Sequence, residues 1–375
     1  MKFRRATLAD ADAIQSFIKG SYGNGAPYKG PARWLWQFVN CPFRPAGDEG
    51  PAVWIADDAG KVAGQTAVQD ATLWLDGQPL EAGWIVDVMV DPAYRGQGLG
   101  HRIHDAILPD RAILITLTMA LATRKIAERA GCITLGPTGQ YARHHRLRAA
   151  TVGRYLDFKA HERPDRARLL GLFRASLIGP ALVAAAARTV AAVRGFGRPK
   201  APLAGFRVEE VARFPDLVDT LWNAARPGYP AIFERSARFL NWRFCDVPDL
   251  VYRRFLLFDG AGTLRGTLVT RVTTGIELPA GVVVDAFARA DDGAAHDALL
   301  ALAERELAPH SDYLEAAGSS PAMVAALARA GYVRMRVMRP TVVVRDPALK
   351  ARMAAMPDAW HFTKADHDWD QVHPA

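Results

Sequence analysis

The stretch from Ile85 to Leu108, IVDVMVDPAYRGQGLGHRIHDAIL, constrains the fold more than any other part of this chain. Its first six residues are mostly apolar and predict a buried strand, which Asp91-Pro92 ends. A glycine-rich turn follows, and apolar residues at helical spacing run from Leu99 to Ile107. Such a turn admits a ligand to the backbone N–H groups at the positive end of the helix. The sequence therefore predicts a site for a phosphate or pyrophosphate.

Two common phosphate-binding motifs do not fit this turn. The Walker motif requires Lys and then Ser or Thr after its last glycine, where this chain has His101-Arg102. The dinucleotide fingerprint requires a glycine in place of His101. The pattern that fits is Arg/Gln-x-x-Gly-x-Gly, carried by Arg95, Gly98 and Gly100 directly after the strand. In this the segment resembles the GNAT superfamily of N-acetyltransferases.

The resemblance implies a role for each residue of the segment. In that superfamily the loop holds the pyrophosphate of acetyl-CoA, and the backbone of the preceding strand pairs with the pantetheine arm. The implied acetyl-CoA-binding residues are Val88, Met89, Val90, Arg95, Gly96, Gln97, Gly98, Leu99, Gly100 and His101. A short strand over Lys2–Ala6 and a Thr-x-x-Asp helix start at Thr7 and Asp10 also match the way that domains of this superfamily begin.

The chain contains the same unit twice, because four segments recur in the same order at an offset of about 200 residues. They are Trp36–Phe38 and Trp242–Phe244, the hairpin patterns Val53–Gly64 and Phe255–Gly266, Gly83–Asp87 and Gly281–Asp285, and Ala130-Gly131 and Ala330-Gly331. The second copy has no Gly-x-Gly turn and places Asp291 and Asp292 where a phosphate would bind. Because like charges repel, we expect only the first copy to bind acetyl-CoA.

These patterns predict a mixed α/β (α+β) chain of two GNAT-like domains, each a twisted, mostly antiparallel sheet flanked by helices. A length of 375 residues also favours two domains. The predicted parts are residues 1–150, the domain with the acetyl-CoA loop; 151–204, a basic, hydrophobic helical connector; 205–345, the degenerate domain; and 346–375, a C-terminal tail.

The connector region combines positive charge with apolar stripes. Residues 143–200 contain 13 Lys and Arg but three acidic residues, so the net charge of +8 is concentrated here. Leu169–Val193 is interrupted by Arg174 and Arg188 and broken by Gly179-Pro180, which favours two amphipathic helices over a transmembrane helix. We expect Leu169–Val193 to be mostly buried with an arginine-rich exposed rim, which would make any membrane association weak and salt-sensitive. The alternative is that the helices lie on an anionic membrane surface with their apolar faces outward. The charge is accompanied by no nucleic-acid-binding motif, so nucleic acid is not the expected partner.

Catalytic residues are harder to assign, because the proton donor that many GNAT enzymes use is missing. Those enzymes protonate the leaving thiolate with a Tyr, and this chain has Ala127 at the corresponding position. The candidate catalytic residues are Asp87, an acid inside an apolar strand, and Tyr141. A structural ion pair explains Asp87 equally well, and its recurrence as Asp285 favours that role.

The sequence thus predicts an N-acetyltransferase that moves acetyl from acetyl-CoA to a small-molecule amine, such as an amino sugar or amino acid, in a cleft near the domain interface. One alternative is a membrane-surface acyltransferase that uses longer acyl-CoA, and another is a non-catalytic acyl-CoA-binding or regulatory protein. Three widely spaced cysteines fit no metal-binding pattern, so we expect no metal and a reducing, cytoplasmic location. Residues 143–200 leave open a weak peripheral contact with a membrane.

Overall fold

The computed structural model describes residues 1–22, 29–117, 121–145, 152–153, 156–157, 160, 164–176, 179–195, 202–273 and 279–371. Its strands, in chain order, are β1 (Lys2–Arg5), β2 (Val53–Asp58), β3 (Lys61–Leu75), β4 (Gln78–Val90), β5 (Ile113–Thr116), β6 (Ile133–Thr134), β7 (Thr138–His144), β8 (Arg207–Glu210), β9 (Ala231–Phe233), β10 (Arg253–Phe258), β11 (Leu264–Thr273), β12 (Ala280–Ala288), β13 (Tyr313–Gly318), β14 (Val333–Met338), β15 (Thr341–Val344) and β16 (Trp360–His361). Its α-helices are α1 (Ala11–Tyr22), α2 (Pro31–Phe38), α3 (Leu99–Ile107), α4 (Leu121–Arg129), α5 (Ala167–Ala175), α6 (Gly179–Gly195), α7 (Leu217–Ala225), α8 (Ala237–Phe244), α9 (Gly293–Leu307), α10 (Pro321–Arg329) and α11 (Pro347–Ala355).

The chain forms two compact units, and neither is a continuous segment. The first unit comprises Met1–Thr138, Tyr229–Asp249 and Met338–His361, and the second unit comprises the remaining segments Gly139–Gly228, Leu250–Val337 and Phe362–Ala375. These units differ from the predicted boundaries, which assigned each repeat to one continuous domain. The physical reason is strand pairing, because each sheet includes a strand from the other repeat.

The first unit is built on a sheet with the strand order β1-β2-β3-β4-β5-β15-β6, which β9 and β16 extend from β3. Within that order the neighbouring strands are antiparallel except for β4 and β5, which are parallel. The borrowed strand β15 pairs with β5 along its whole length and also joins β6 to the sheet.

Helices cover both faces of this sheet. On one face α3 buries Leu99, Ile103 and Ile107 against the sheet, which confirms the predicted helical spacing. On the other face α1 and α2 contribute a core that includes Ile14 and Trp34. The apolar residues of β4 alternate between the two cores, so this strand lies at the centre of the unit.

The second unit repeats the arrangement with the strand order β8-β10-β11-β12-β13-β7-β14. Here β12 and β13 are the parallel pair, and β7 is the strand that comes from the first repeat. Helices α9 and α10 pack onto this sheet in its apolar core. Read from β1 and from β8, the two sheets have equivalent strands in the same order, and in each the sixth strand comes from the other repeat. This correspondence confirms the predicted duplication.

The predicted break in Leu169–Val193 separates α5 from α6, but the predicted burial is wrong for α5. None of the nine residues of α5 is buried, and Leu169, Leu172 and Phe173 are exposed. The apolar cluster beside it is small, with Leu170 partly buried against a few residues that include Ala184. Within the described residues no single helix is long and apolar enough to cross a membrane; α5 with Gly179–Ala186 meets that criterion only as a pair bent by 91°.

Candidate acyl-CoA site

The loop between β4 and α3 is anchored where the strand ends. Asp91 accepts a hydrogen bond from the Ala93 N–H at 2.9 Å and forms an ion pair with Lys61 at 3.1 Å. The Tyr94 hydroxyl donates to a carboxylate oxygen of Asp58 at 2.8 Å. Asp91 and Tyr94 therefore attach the start of the loop to the β2–β3 hairpin, through Lys61 and Asp58. These contacts fix the position from which the glycine-rich turn begins.

The start of α3 is open to an anion. Gly96 and Gly98 have left-handed φ angles of 79° and 77°, and Gly98 caps the helix with no side-chain hydrogen bond. A Cβ at either glycine would meet nothing within 4 Å, so the space in front of the helix is clear. The first N–H groups of a helix have no intrahelical acceptor. Those of Leu99, Gly100 and His101 can therefore bind a phosphate group.

The other predicted loop residues lie around this helix end. Arg95 is exposed, and its Nε donates to the Val90 carbonyl at 3.3 Å, which leaves most of the guanidinium N–H groups for solvent or a phosphate. Gln97 donates from its side chain to the Ala93 carbonyl at 3.3 Å and so stabilises the loop itself. Leu99 can offer only its backbone N–H to a ligand, because its side chain is buried in the core.

The strand before the loop separates from its parallel neighbour. β4 pairs with β5 only at Gly83 with Leu114 and at Trp84 with Ile115. On its other side β4 has a bulge, because the register with β3 shifts and two residues, Asp87 and Val88, lie opposite the single residue Thr66. Beyond Trp84, the edge of β4 toward β5 therefore presents backbone groups that an extended ligand can pair with.

Asp87 lies at this bulge in a left-handed conformation, with a φ of 53°. Its carboxylate forms an ion pair with Lys29, with 2.5 Å between Oδ1 and Nζ, and the two side chains are 4% and 9% exposed. The counterpart in the second unit, Asp285, instead accepts a hydrogen bond from the Thr363 hydroxyl at 2.7 Å. The shared acid thus has a different partner in each unit.

A narrow cavity lies behind the loop, between α3, α4 and the separated strands. Its lining residues are Thr66, Ile85, Val88, Gly100, His104, Thr116, Thr123, Ile126 and Ala127. His104 is 5% exposed, and neither of its ring nitrogens has a hydrogen-bond partner among the described residues. Burial lowers the pKa of His104 below its ordinary value, so the imidazole is neutral near pH 7. Helical spacing in the sequence marks His104 only as one more core position, so its place in the cavity could not be predicted.

Tyr141 lies in the second unit and not in the unit that carries the loop, and its assignment to the acetyl-CoA site stays a prediction. It is on β7, which pairs with β13 in the second unit. Its ring is 7% exposed within the core of that unit, and burial raises the pKa of its hydroxyl.

No group of three or more His, Cys, Asp or Glu in the described ranges could hold a metal ion.

In the second unit the corresponding helix start is filled by the chain itself. Asp292 caps α9 by accepting a hydrogen bond from the Ala295 N–H at 3.0 Å, and its carboxylate also accepts one from Arg265 at 2.8 Å. A carboxylate thus occupies the place that a phosphate would take. The second copy is therefore degenerate, as predicted, because its own Asp292 satisfies the helix start that a phosphate would otherwise bind.

The gap between the parallel strands of the second unit is closed as well. β12 and β13 separate after Val282 and Glu315, but every residue of β12 is buried. The short turn Lys364–Asp366 packs against both strands, and Lys364 pairs with Glu315 at 2.5 Å. By contrast, the last four residues of β4 in the first unit are only partly buried.

Comparison with known proteins agrees with this geometry. Residues 2–131 match the family model of an acetyltransferase (GNAT) domain. The chain carries a GNAT acetyltransferase domain. The matched range contains the open helix start, the bulged strand and the cavity of the first unit. No curated protein sequence matches the chain.

Solved structures share the fold of almost the whole chain. A GCN5-related N-acetyltransferase from Anabaena variabilis superposes with a TM-score of 0.58 at 11% identity, covering 91% of this chain and 72% of that one. A probable N-acyltransferase from Enterococcus faecalis gives 0.57 at 8%, covering 92% and 72%. A GCN5-related N-acetyltransferase from Kribbella flavida gives 0.53 at 16%, covering 91% and 71%. At identities of 8–16% this likeness shows the fold alone. It covers more than 90% of the chain, so the GNAT-like fold extends beyond residue 131.

Proposed function

We propose that the first unit transfers an acyl group from acyl-CoA, in the simplest case acetyl from acetyl-CoA, to the amine of a small molecule such as an amino sugar or amino acid. The observation that carries the proposal is the open start of α3 next to the unpaired edge of β4. The helix start would bind the pyrophosphate, and the edge of β4 would pair with the amide groups of the pantetheine arm.

Acyl transfer needs a neutral amine close to the thioester carbon and a proton for the leaving thiolate. Asp87 stays a predicted catalytic residue; it lies at the bulge, where the ion pair with Lys29 holds its carboxylate in place. Tyr141 stays a predicted catalytic residue, but the proposal does not depend on it, because its side chain is buried in the core of the second unit.

The binding step is tested with Gly98→Val, measured by calorimetry with CoA. A valine at this left-handed position costs about 1–2 kcal/mol of backbone strain and places a branched side chain in front of the helix N–H groups. We expect CoA affinity to fall at least about tenfold, since phosphate contacts of this kind are each worth on the order of 1–3 kcal/mol.

Gly77→Val is the matched control. Gly77 lies in the β3–β4 turn of the same unit, has a φ of 76°, and a Cβ there would also meet nothing within 4 Å. The backbone strain is therefore the same, but CoA affinity should be retained. Unchanged affinity in Gly98→Val, or equal losses in both variants, would show that CoA does not bind at this loop.

The reaction is tested by following thiol release from acetyl-CoA in the presence of a panel of amino sugars and amino acids. Acyl-CoA donors of increasing chain length then determine the preferred acyl group. Tight CoA binding with no thiol release from any donor or amine would favour the non-catalytic acyl-CoA-binding alternative. Turnover restricted to long-chain donors would favour an acyltransferase that works at a membrane surface.

The exposed face of α5 favours a second candidate function, an acyltransferase that works at a membrane surface. Leu169 and Leu172 are 68% and 73% exposed, and Phe173 is 41% exposed. Arg166 and Arg174 lie at the two ends of this apolar face. Insertion of an apolar side chain into a bilayer contributes roughly 1.5–3 kcal/mol, and arginines attract anionic lipids. The expected binding therefore weakens with salt but is not abolished by it.

Flotation with vesicles that contain anionic lipid tests this candidate. Leu172→Glu should reduce the bound fraction several-fold, because it removes apolar area and adds a charge of the wrong sign. The matched control is Val251→Glu, which changes a residue that is 79% exposed outside the connector. Absence of binding by the unmodified protein, or equal binding by both variants, would exclude contact through α5.

A further inference from the structure

His104 is a buried polar group for which the described residues provide no partner. It is on α3, four residues after Gly100, which is about 6 Å along a helix. Both Nδ1 and Nε2 are enclosed and make no hydrogen bond within the described residues. A buried polar group without a partner costs on the order of 1–3 kcal/mol. An imidazole kept at that cost in a cavity indicates a ligand that completes its hydrogen bonds.

The cavity that His104 faces adjoins the loop site. Gly100 lines the cavity and also provides an N–H group at the open start of α3. Thr66, which lies opposite the bulge of β4, lines the same cavity together with Val88. A ligand with its phosphates at the start of α3 and its arm along β4 therefore passes His104.

Ala127 faces the same cavity from α4 with only a methyl group. The other polar side chains in the lining are hydroxyls of Thr66, Thr116 and Thr123, which exchange protons poorly near neutral pH. Among the lining residues, His104 alone has a side chain that can accept and release a proton near pH 7. Neither Nδ1 nor Nε2 of His104 has a hydrogen-bond partner among the described residues. The imidazole is therefore able to accept a proton from a bound ligand and to donate a proton to it.

We propose that His104 is a catalytic residue that carries the proton of the attacking amine to the CoA sulfur. This proposal rests on the acyl transfer proposed above. The amine nitrogen forms a bond to the thioester carbon, and the resulting intermediate holds the nitrogen and the sulfur on the same carbon. The neutral imidazole accepts one proton from that nitrogen. As the C–S bond breaks, the imidazolium gives a proton to the sulfur, which leaves as a thiol. His104 returns to the neutral form, and one proton has moved from nitrogen to sulfur.

Two substitutions remove the relay in different ways. His104→Gln keeps a polar side chain that does not titrate, and His104→Phe keeps a buried ring without nitrogens. We expect kcat with acetyl-CoA to fall about 100-fold in both variants, the usual contribution of a positioned acid–base group. CoA affinity measured by calorimetry should stay within about threefold, because the pyrophosphate contacts are unchanged.

The matched control is His296→Gln. His296 is on α9 of the second unit, is 1% exposed, and burial lowers its pKa as it does for His104. Its Nδ1 contacts the Asp292 carbonyl at 2.9 Å, and the helix start beside it is already capped. This variant should keep the kcat of the unmodified protein.

A second acyl donor shows whether His104 transfers a proton or only supports the structure of the site. The S-acetyl ester of an acidic aromatic thiol releases a thiolate that needs no proton. We therefore expect the ratio of unmodified to variant rates to shrink toward one with this donor, while it stays near 100 with acetyl-CoA.

Three results would overturn the relay while leaving the proposed function standing: kcat retained in His104→Gln, equal losses with both donors, or a loss of CoA affinity that parallels the loss of rate. Absence of thiol release from the unmodified protein with every amine would overturn the proposed function, and the relay with it. The comparison of the unmodified protein with His104→Gln thus distinguishes the two failures.

Discussion

At the scale of single residues, the first turn of the chain shows how one carboxylate couples folding to pH. Asp10 accepts hydrogen bonds from two nitrogens of Arg4 at 2.8 and 2.7 Å and from the Thr7 N–H at 2.7 Å. The Thr-x-x-Asp pattern predicted this capping box, and the structure confirms it. The bonds from Arg4 hold the pKa of Asp10 well below its ordinary value of 3.8.

We expect Asp10→Asn to lower the free energy of unfolding at pH 7 by about 1 kcal/mol, because the neutral amide loses the ion pair with Arg4. A carboxylate with a depressed pKa contributes stability above the pKa of the unfolded chain and loses it as the pH falls toward the folded value. The difference between the variant and the unmodified protein should therefore shrink steadily below about pH 4. Urea unfolding at a series of pH values measures it, and a difference that is constant down to pH 2 would contradict the coupling.

The sequence identifies some site residues and misses others for a physical reason. Gly96, Gly98 and Asp87 can be predicted because the turn geometry and the strand pattern are local properties of consecutive residues. The unit that holds Tyr141 could not be predicted, because it depends on which sheet β7 joins, and β7 pairs with a strand far along the chain. His104 becomes prominent only when the cavity shows that its nitrogens have no partner.

At the scale of elements, the close approach of α3 to α4 gives Gly100 a role beyond its backbone N–H. A Cβ at Gly100 would lie 2.9 Å from Cδ1 of Ile126, which is too close, although that atom is the end of a flexible side chain. Ile126 must therefore move if Gly100 is replaced. The spacing of glycines in the motif does not reveal this contact, because it belongs to the pairing of two helices.

We expect Gly100→Ala alone to leave the free energy of unfolding nearly unchanged. The gain in helix propensity, about 1 kcal/mol, is offset by the displacement of Ile126. In an Ile126→Val background the clashing methyl group is gone, so there the same substitution should stabilise the protein by close to the full gain. A double-mutant cycle from urea unfolding measures this difference, and purely additive effects of the two substitutions would refute the proposed contact.

The two repeats also differ at this scale in how each helix start is satisfied. In the first unit Gly98 leaves the start of α3 to a ligand, whereas in the second unit the carboxylate of Asp292 satisfies the start of α9. The sequence predicted this difference from the glycines and the acidic pair alone. The closing of the gap between β12 and β13 by Lys364–Asp366 was beyond prediction, because that segment lies far from both strands in the sequence.

At the scale of the whole molecule, the exchange of strands makes each repeat incomplete by itself. β15 pairs with β5 over four residues, Thr341–Val344, and also carries β6, so the sheet of the first unit loses two strands without it. Val342, Val343 and Val344 are 0%, 5% and 7% exposed, and burying such a side chain contributes roughly 1.5–3 kcal/mol. The repeats in the sequence predict two similar domains, but local patterns do not show that the two share strands.

We therefore expect residues 1–204 expressed alone to lack a cooperative unfolding transition and to bind no CoA, although they contain every residue of the loop site. The fragment would expose β5 as an unpaired edge, which promotes aggregation. Co-expression with residues 205–375 supplies β15 and should restore CoA binding to within a few-fold of the intact chain. The control is the folded full-length chain with a protease site inserted after residue 204, whose two halves should stay together after cleavage. A fragment 1–204 that unfolds cooperatively and binds CoA would show that the first repeat completes its sheet without β15.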